Sequence, residues 1–90
     1  MSHISQNKSR VITRVRRLRG QLDALERALE GEADCLDVLT QAAAIRGASQ
    51  GLMVELLGDH LRQHVVAEDD ASVRDAEAEQ VLQLVKRYLG

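Results

Sequence analysis

Phenylalanine, tryptophan and proline are all absent from this 90-residue chain, and Tyr88 is its only aromatic residue. Without proline, nothing breaks a long helix, and a 44% hydrophobic fraction rich in Leu, Val and Ala favours helices over strands. The lack of large rings also thins the single small core that a chain of this length can build. Cys35 is the only cysteine, so no internal disulfide can staple the fold. Association with further copies is then the remaining source of stability. No apolar run approaches the ~18 residues of a membrane span, and no charged-then-apolar leader opens the chain. A soluble, cytoplasmic protein with no membrane partner is expected. Without Trp, Phe or a His-rich cleft, a self-contained enzyme pocket is not expected either.

Charge of one sign is not in excess: 12 Lys and Arg stand against 14 Asp and Glu, a net −2. The near-balance hides a polarity. Residues 1–27 hold seven basic groups against Asp23 and Glu26, a net +5, whereas residues 28–90 hold five basic and twelve acidic groups, a net −7. A basic end on an acidic body can face nucleic acid while the rest keeps the protein soluble. A solvated helix face is the plainer reading of such a run.

The chain 1–90 reads as one domain of three helices. Val11, Val15, Leu18, Leu22, Leu25 and Leu29 step by four and three, the stripe of an amphipathic helix over about 8–30. Gly31 ends it. Asp34 is the expected N-cap of a second helix running to about residue 66, with Asp37 in its first turn. The middle of that helix is small: Ala42, Ala43, Ala44, Gly47, Ala48, Ser49 and Gly51, with Gly58 further on. Each glycine weakens an isolated helix by about 1 kcal/mol, so close approach of another helix is the expected compensation. Glu68-Asp69-Asp70 reads as an acidic loop, and Ser72 with Asp75 as a capping box for a last helix. The apolar positions of that helix are Val73, Ala76, Val81, Leu84, Val85 and Tyr88.

Four residues carry metal-binding chemistry. His60 and His64 are spaced to share a helix face and chelate one ion. Cys35 begins the same helix, where a lone cysteine is more often a small hydrophobe, and His3 lies in the N-terminal tail. Cys35 and His60 are roughly 37 Å apart along a helix at about 1.5 Å per residue, so one chain cannot bring them to one ion. Two antiparallel copies can, with a crossing between Gly47 and Ala48, in the small-residue segment. Folding the first helix back about residues 31–32 sets residue 3 near residues 60–61 of its own chain. The candidate site is therefore His3, His60 and His64 of one copy with Cys35 of the other.

The blocks "TRVRRLRGQLDALERALEGEADC" and "AAAIRGASQGLMVELLGDHLRQH" resemble the CsoR/RcnR/FrmR family of bacterial transcriptional repressors over nearly the whole chain. The pattern R-x-R-G-Q … C … R-G-x-x-x-G-L-M … H-x-x-x-H carries the resemblance. It implies an all-α, three-helix protomer, an antiparallel dimer forming a four-helix bundle, and a dimer-of-dimers tetramer without a helix-turn-helix. It also implies a site shared across the dimer, and operator DNA bound by the unliganded protein and released when the site fills, derepressing an efflux or detoxification gene.

The inducer follows from the ligand set. Within the resemblance, the copper branch places a second Cys where this chain has His64, and the persulfide branch needs two cysteines. One thiolate with several imidazoles suits a borderline divalent ion. The nickel/cobalt branch matches at His3, Cys35, His60 and His64, and shares the start "MSH"; Ni(II) or Co(II) is the expected inducer, with Zn(II) able to occupy the same ligands. The formaldehyde branch is the alternative, using Cys35, His60 and the N-terminal amine; it carries Pro at position 2 and an acid at position 64, where this chain has Ser2 and His64.

DNA contact falls to the basic end: Lys8, Arg10, Arg14, Arg16, Arg17 and Arg19. Arg10, Arg14 and Arg17 form one ridge beside the apolar stripe, Lys8 and Arg19 flank its other side, and Arg16 points away. Arg46, isolated on the second helix, either extends the patch or makes an ion pair. With no aromatic platform for single strands, double-stranded operator DNA is expected, held through phosphates and groove shape, and the resemblance implies an operator with G/C tracts. The competing class is a helical interaction protein, which leaves the convergence of ligands to coincidence. An enzyme is a distant third, because no general base or substrate cleft accompanies the imidazoles and the thiol.

Overall fold

The computed structural model describes residues 7–89. Three α-helices follow in order: α1 (Lys8–Glu30), α2 (Cys35–Leu61) and α3 (Ala71–Leu84). π-Helical turns extend α2 over Arg62–Val66 and α3 over Val85–Leu89. No strand occurs among the described residues, as the composition predicts. α1 matches its sequence boundaries, and α2 with its π-turn reaches residue 66.

The helix ends follow local chemistry, not always in the predicted way. Gly31 closes α1 by donating its N–H to the Arg27 carbonyl at 3.1 Å. It does so in an extended conformation (φ −97°, ψ −152°), so no left-handed cap is used. Asp34 occupies the N-cap of α2, but its side chain makes no capping bond. The Ser72–Asp75 capping box does not form. Asp70 caps α3 instead, accepting from the N–H of Ser72 at 2.9 Å, the N–H of Val73 at 3.2 Å and the Ser72 hydroxyl at 2.8 Å. An Asp carboxylate at the N-cap reaches the orphan donors of the first turn, which frees Ser72 to act as a donor. These bonds, the Ser72 hydroxyl first, hold the Asp70 carboxyl below its ordinary value of 3.8.

α1 and α2 form an antiparallel hairpin: Asn7 meets Glu55 and Asp59, while Gln21 and Ala24 lie against Gln41 and Ala44. The apolar stripe of α1 splits into two rows with a seven-residue repeat. Val11 (buried), Leu18 and Leu25 (half-buried) turn inward, whereas Val15, Leu22 and Leu29 stay exposed, Leu29 by 64%. Leu36, Leu39 and Val54 of α2 are exposed as well. α3 returns along the end of α2, leaving an apolar cleft of about 270 Å³ between Met53, Leu56, Leu57, His60, Val81 and Leu84. Its apolar positions depart from the predicted face: Val73 and Tyr88 are exposed, and Glu77 and Ala78 are half-buried in their place.

The protomer is long and thin, 57 × 28 × 14 Å, with a radius of gyration of 17.2 Å. A compact domain of this length would measure about 12 Å. Val11 is the only buried apolar residue among those described. Such a hairpin has one side packed and the other bare.

Candidate functional site

Two polar sites meet at the end of the hairpin where α1 begins and α2 finishes. The first is the histidine pair. His60 lies in the last turn of α2 and His64 in the π-turn that follows. The Ala67 N–H reaches back to the Arg62 carbonyl at 3.0 Å, the wide loop of a π-turn. The two rings stand with centroids 4.6 Å apart, tilted by 37°. His60 Nε2 lies 3.1 Å from Glu77 Oε1 on α3, a contact that sequence reasoning missed. A carboxylate behind an imidazole is a common device for orienting a metal ligand.

The pair is chemically apt for a divalent ion, but it does not complete a site. Cys35 is exposed at the opposite end of α2, so the structure does not bring it to His60 or His64. Among the described residues, no cluster of three or more His, Cys, Asp or Glu side chains is placed to hold a metal. His3 lies outside the described residues. Within the protomer, α2 and its π-turn carry two adjacent imidazoles at one end and an exposed thiol at the other.

The second site is a polar cluster under the start of α1. Asp59 is buried, 4% exposed, and its Oδ1 accepts from Arg62 Nη2 at 2.6 Å and Asn7 Nδ2 at 3.3 Å. Asn7 also donates to Glu55 Oε2 at 2.7 Å, and Glu55 Oε1 forms an ion pair with Arg14 Nε at 3.0 Å. Arg10 Nη2 completes the group at 3.7 Å from Glu55 Oε2. The sequence carried a signal for this cluster. Glu55, in an otherwise apolar stretch, faces the Arg10–Arg14 pair, which is four apart, while Asp59 one turn on meets Asn7 and Arg62.

The candidate DNA residues therefore divide. Arg10, Arg14 and Arg17 line one shallow groove with Ser9 and Thr13, so the predicted ridge exists, but Glu55 engages two of its three arginines. Lys8 and Arg16 line a second groove with Ile12. Lys8, Arg16, Arg17 and Arg19 are exposed and form no ion pair with a described residue. Arg46 is also exposed without an ion pair among the described residues.

The glycines are corrected in part. Within the chain, no helix backbone approaches them closely. A Cβ at Gly51 would stand 3.0 Å from Arg14 Nη1, and one at Gly58 would stand 3.3 Å from Arg62 Nη1. Both glycines make room for arginine side chains, whereas Gly47 faces open space.

Comparison with known proteins agrees over nearly the full length. The family model for metal-sensitive transcriptional repressors matches residues 7–87. An uncharacterised protein from the bioA 5′ region of Serratia marcescens is 42% identical over 90 residues, 99% of each chain. The transcriptional repressor RcnR of Citrobacter koseri is 37% identical over 89 residues, again 99% of each. Among solved structures, a glutamate-to-histidine variant of the formaldehyde-responsive regulator FrmR from Salmonella enterica serovar Typhimurium superimposes with a TM-score of 0.85 at 45% identity. That match covers 92% of this chain and 94% of the other. No helix among the described residues is long and apolar enough to cross a membrane. The chain belongs to the metal-sensitive transcriptional repressor family, the group of CsoR, RcnR and FrmR.

Proposed function

We propose that this protein is a cytoplasmic repressor that binds double-stranded operator DNA and releases it when Ni(II) or Co(II) fills a site shared by two copies. Release would derepress a metal efflux gene. The observation that carries this reading is the His60–His64 pair, with ring centroids 4.6 Å apart at one end of α2, while Cys35 is exposed at the other end. Two copies of α2, antiparallel and crossing near Gly47, would set one chain's Cys35 beside its partner's histidines. The open space at Gly47 and the bare row Val15, Leu22 and Leu29 support a four-helix bundle of two hairpins, and a dimer of such dimers. His3 would add a further ligand. One thiolate with several imidazoles suits Ni(II) or Co(II), and Zn(II) could occupy the same set.

The DNA surface in this reading is the basic end of α1, with Lys8, Arg10, Arg14, Arg16, Arg17 and Arg19 meeting phosphates. Inducer and DNA must then weaken each other's binding by the same factor. Formaldehyde is the second reading, favoured by the exposed thiol of Cys35 and by the name of the FrmR neighbour. That neighbour carries histidine in place of a glutamate. The resemblance separates this chain from the formaldehyde branch by the same kind of exchange, at His64. A gel shift on a G/C-tract duplex, with Ni(II), Co(II) or formaldehyde added in turn, tests the proposal. Release by either metal supports it. Release by formaldehyde alone replaces it with the second reading, and no binding in any lane sinks both.

A further inference from the structure

Glu55 sits on α2 beneath the arginine ridge, where a negative charge opposes any polyanion approaching α1. Its side chain is only 11% exposed, and its two oxygens are engaged separately. Oε1 stands 3.0 Å from Arg14 Nε as an ion pair; Oε2 accepts from Asn7 at 2.7 Å and stands 3.7 Å from Arg10. A Cβ at Gly51 would stand 3.0 Å from Arg14 Nη1, so the glycine leaves room for the guanidinium where it now lies. Arg14 thus lies over a glycine with its Nε side turned to the Glu55 carboxylate, yet its side chain keeps 38% of its surface. A guanidinium has five donors in a rigid fork, so an ion pair at Nε orients the others without using them.

We propose that Glu55 is a positioning residue for DNA binding: with Gly51 as the cradle, it fixes Arg14 so that the remaining guanidinium donors are preset for a phosphate. This rests on the reading of α1 as the DNA surface. Preorganisation and bare electrostatics predict opposite signs. As a mere counter-charge, Glu55 would weaken DNA binding, and removing it would strengthen binding to every sequence. As a clamp, it removes the entropy that Arg14 would otherwise lose on contact.

The test is fluorescence anisotropy of the full chain on a G/C-tract duplex and on a scrambled duplex of equal length, over a salt series. Glu55→Ala and Gly51→Ala should each weaken binding about threefold to tenfold, the scale of immobilising one long side chain. Glu55→Gln keeps an acceptor for Arg14 Nε and drops the charge, so it should bind at least as well as the wild type. Glu55→Ala should have no further effect once Arg14 is already Ala. Alanine is the better helix former, so the melting temperature of Gly51→Ala should not fall. A displaced arginine is thereby told apart from a damaged fold. Stronger binding by Glu55→Ala, or undiminished binding by Gly51→Ala, overturns the inference. Arg14→Ala and Arg17→Ala, run alongside, test the reading beneath it. If both bind like the wild type, α1 is not the DNA surface and the inference falls with it. If both bind more weakly while Glu55→Ala binds more tightly, only the inference falls.

Discussion

His60 and Glu77 join α2 to α3 across 3.1 Å between Nε2 and Oε1, and the ring that Glu77 steadies is the one beside His64, 4.6 Å away between centroids. If His60 takes an ion through its other nitrogen, Glu77 selects the tautomer and holds the ring plane. Glu77→Ala should lower metal affinity by about tenfold or more, the usual effect of losing an outer carboxylate. A Co(II) absorbance titration measures it, and unchanged affinity would make Glu77 only a helix-docking residue.

The legible part of this molecule was whatever depends on spacing along one helix. The α1 stripe, the Gly31 stop and the small-residue centre of α2 are one-dimensional signals, and the boundaries followed them. The contacts that escaped notice run between helices. Asn7 and Glu77 give no signal along the sequence, and the spacing of Glu55 and Asp59 shows a pair without its partners, which lie 17 to 52 residues away in every case but the local Arg62–Asp59 bond. The stripe itself was read as one face because steps of three and four do not reveal that two rows seven residues apart face different neighbours. Spacing alone points to Ser72 as the cap, since its distance from Asp75 fits a capping box. Asp70 prevailed because its carboxylate accepts from three donors at once.

Asp59 gives a prediction about stability. Its Oδ2 is buried without a hydrogen-bond partner among the described residues, so Oδ1 and its 2.6 Å bond to Arg62 carry most of the compensation. Arg62→Ala should destabilise the fold by about 1–3 kcal/mol, the cost of leaving a buried charged group poorly paired. Adding Asp59→Leu should recover part of that loss, because an apolar residue removes the charge that needs a partner. Urea unfolding of the single and double variants decides the point; a double variant less stable than Arg62→Ala would contradict it.

Assembly is tested at Gly47. A Cβ there meets nothing within 4 Å among the described residues, so Gly47→Leu should leave the α1–α2 hairpin intact. In the proposed crossing, the same leucine would force two backbones apart. Sedimentation or light scattering should show a smaller particle, with weaker metal and DNA binding at the same concentration. A Gly47→Leu protein of unchanged mass and activity would move the crossing elsewhere.

The α3 cap has a pH signature. Asp70 is held below its ordinary value of 3.8 in the folded chain, the Ser72 hydroxyl bond being the largest cause. A depressed carboxyl contributes stability that is present above its unfolded value and fades as pH falls through the folded one. Asp70→Ala should therefore melt at a lower temperature than wild type near neutral pH, and the gap should narrow below about pH 4. Asp70→Asn keeps a good N-cap and should lose less. A gap that is constant from pH 7 to 3 would place the contribution outside this carboxylate.

The switch separates the two inducers through residues that one chain does not assemble. Both chemistries need the thiol, so Cys35→Ala should bind the G/C-tract duplex as wild type does and fail to release it with any inducer. His64 and His3 then divide the readings. With Ni(II) or Co(II) as the signal, His64→Ala removes one of the two imidazoles that stand 4.6 Å apart, and the metal needed for half-release should rise. His3→Ala should act in the same direction. With formaldehyde as the signal, the N-terminal amine and Cys35 react and both histidine variants should respond like the wild type. A Co(II) charge-transfer band that disappears in Cys35→Ala gives an independent reading, because only thiolate coordination produces it. A band that persists without Cys35 would remove the thiol from the metal site and with it the shared-site geometry.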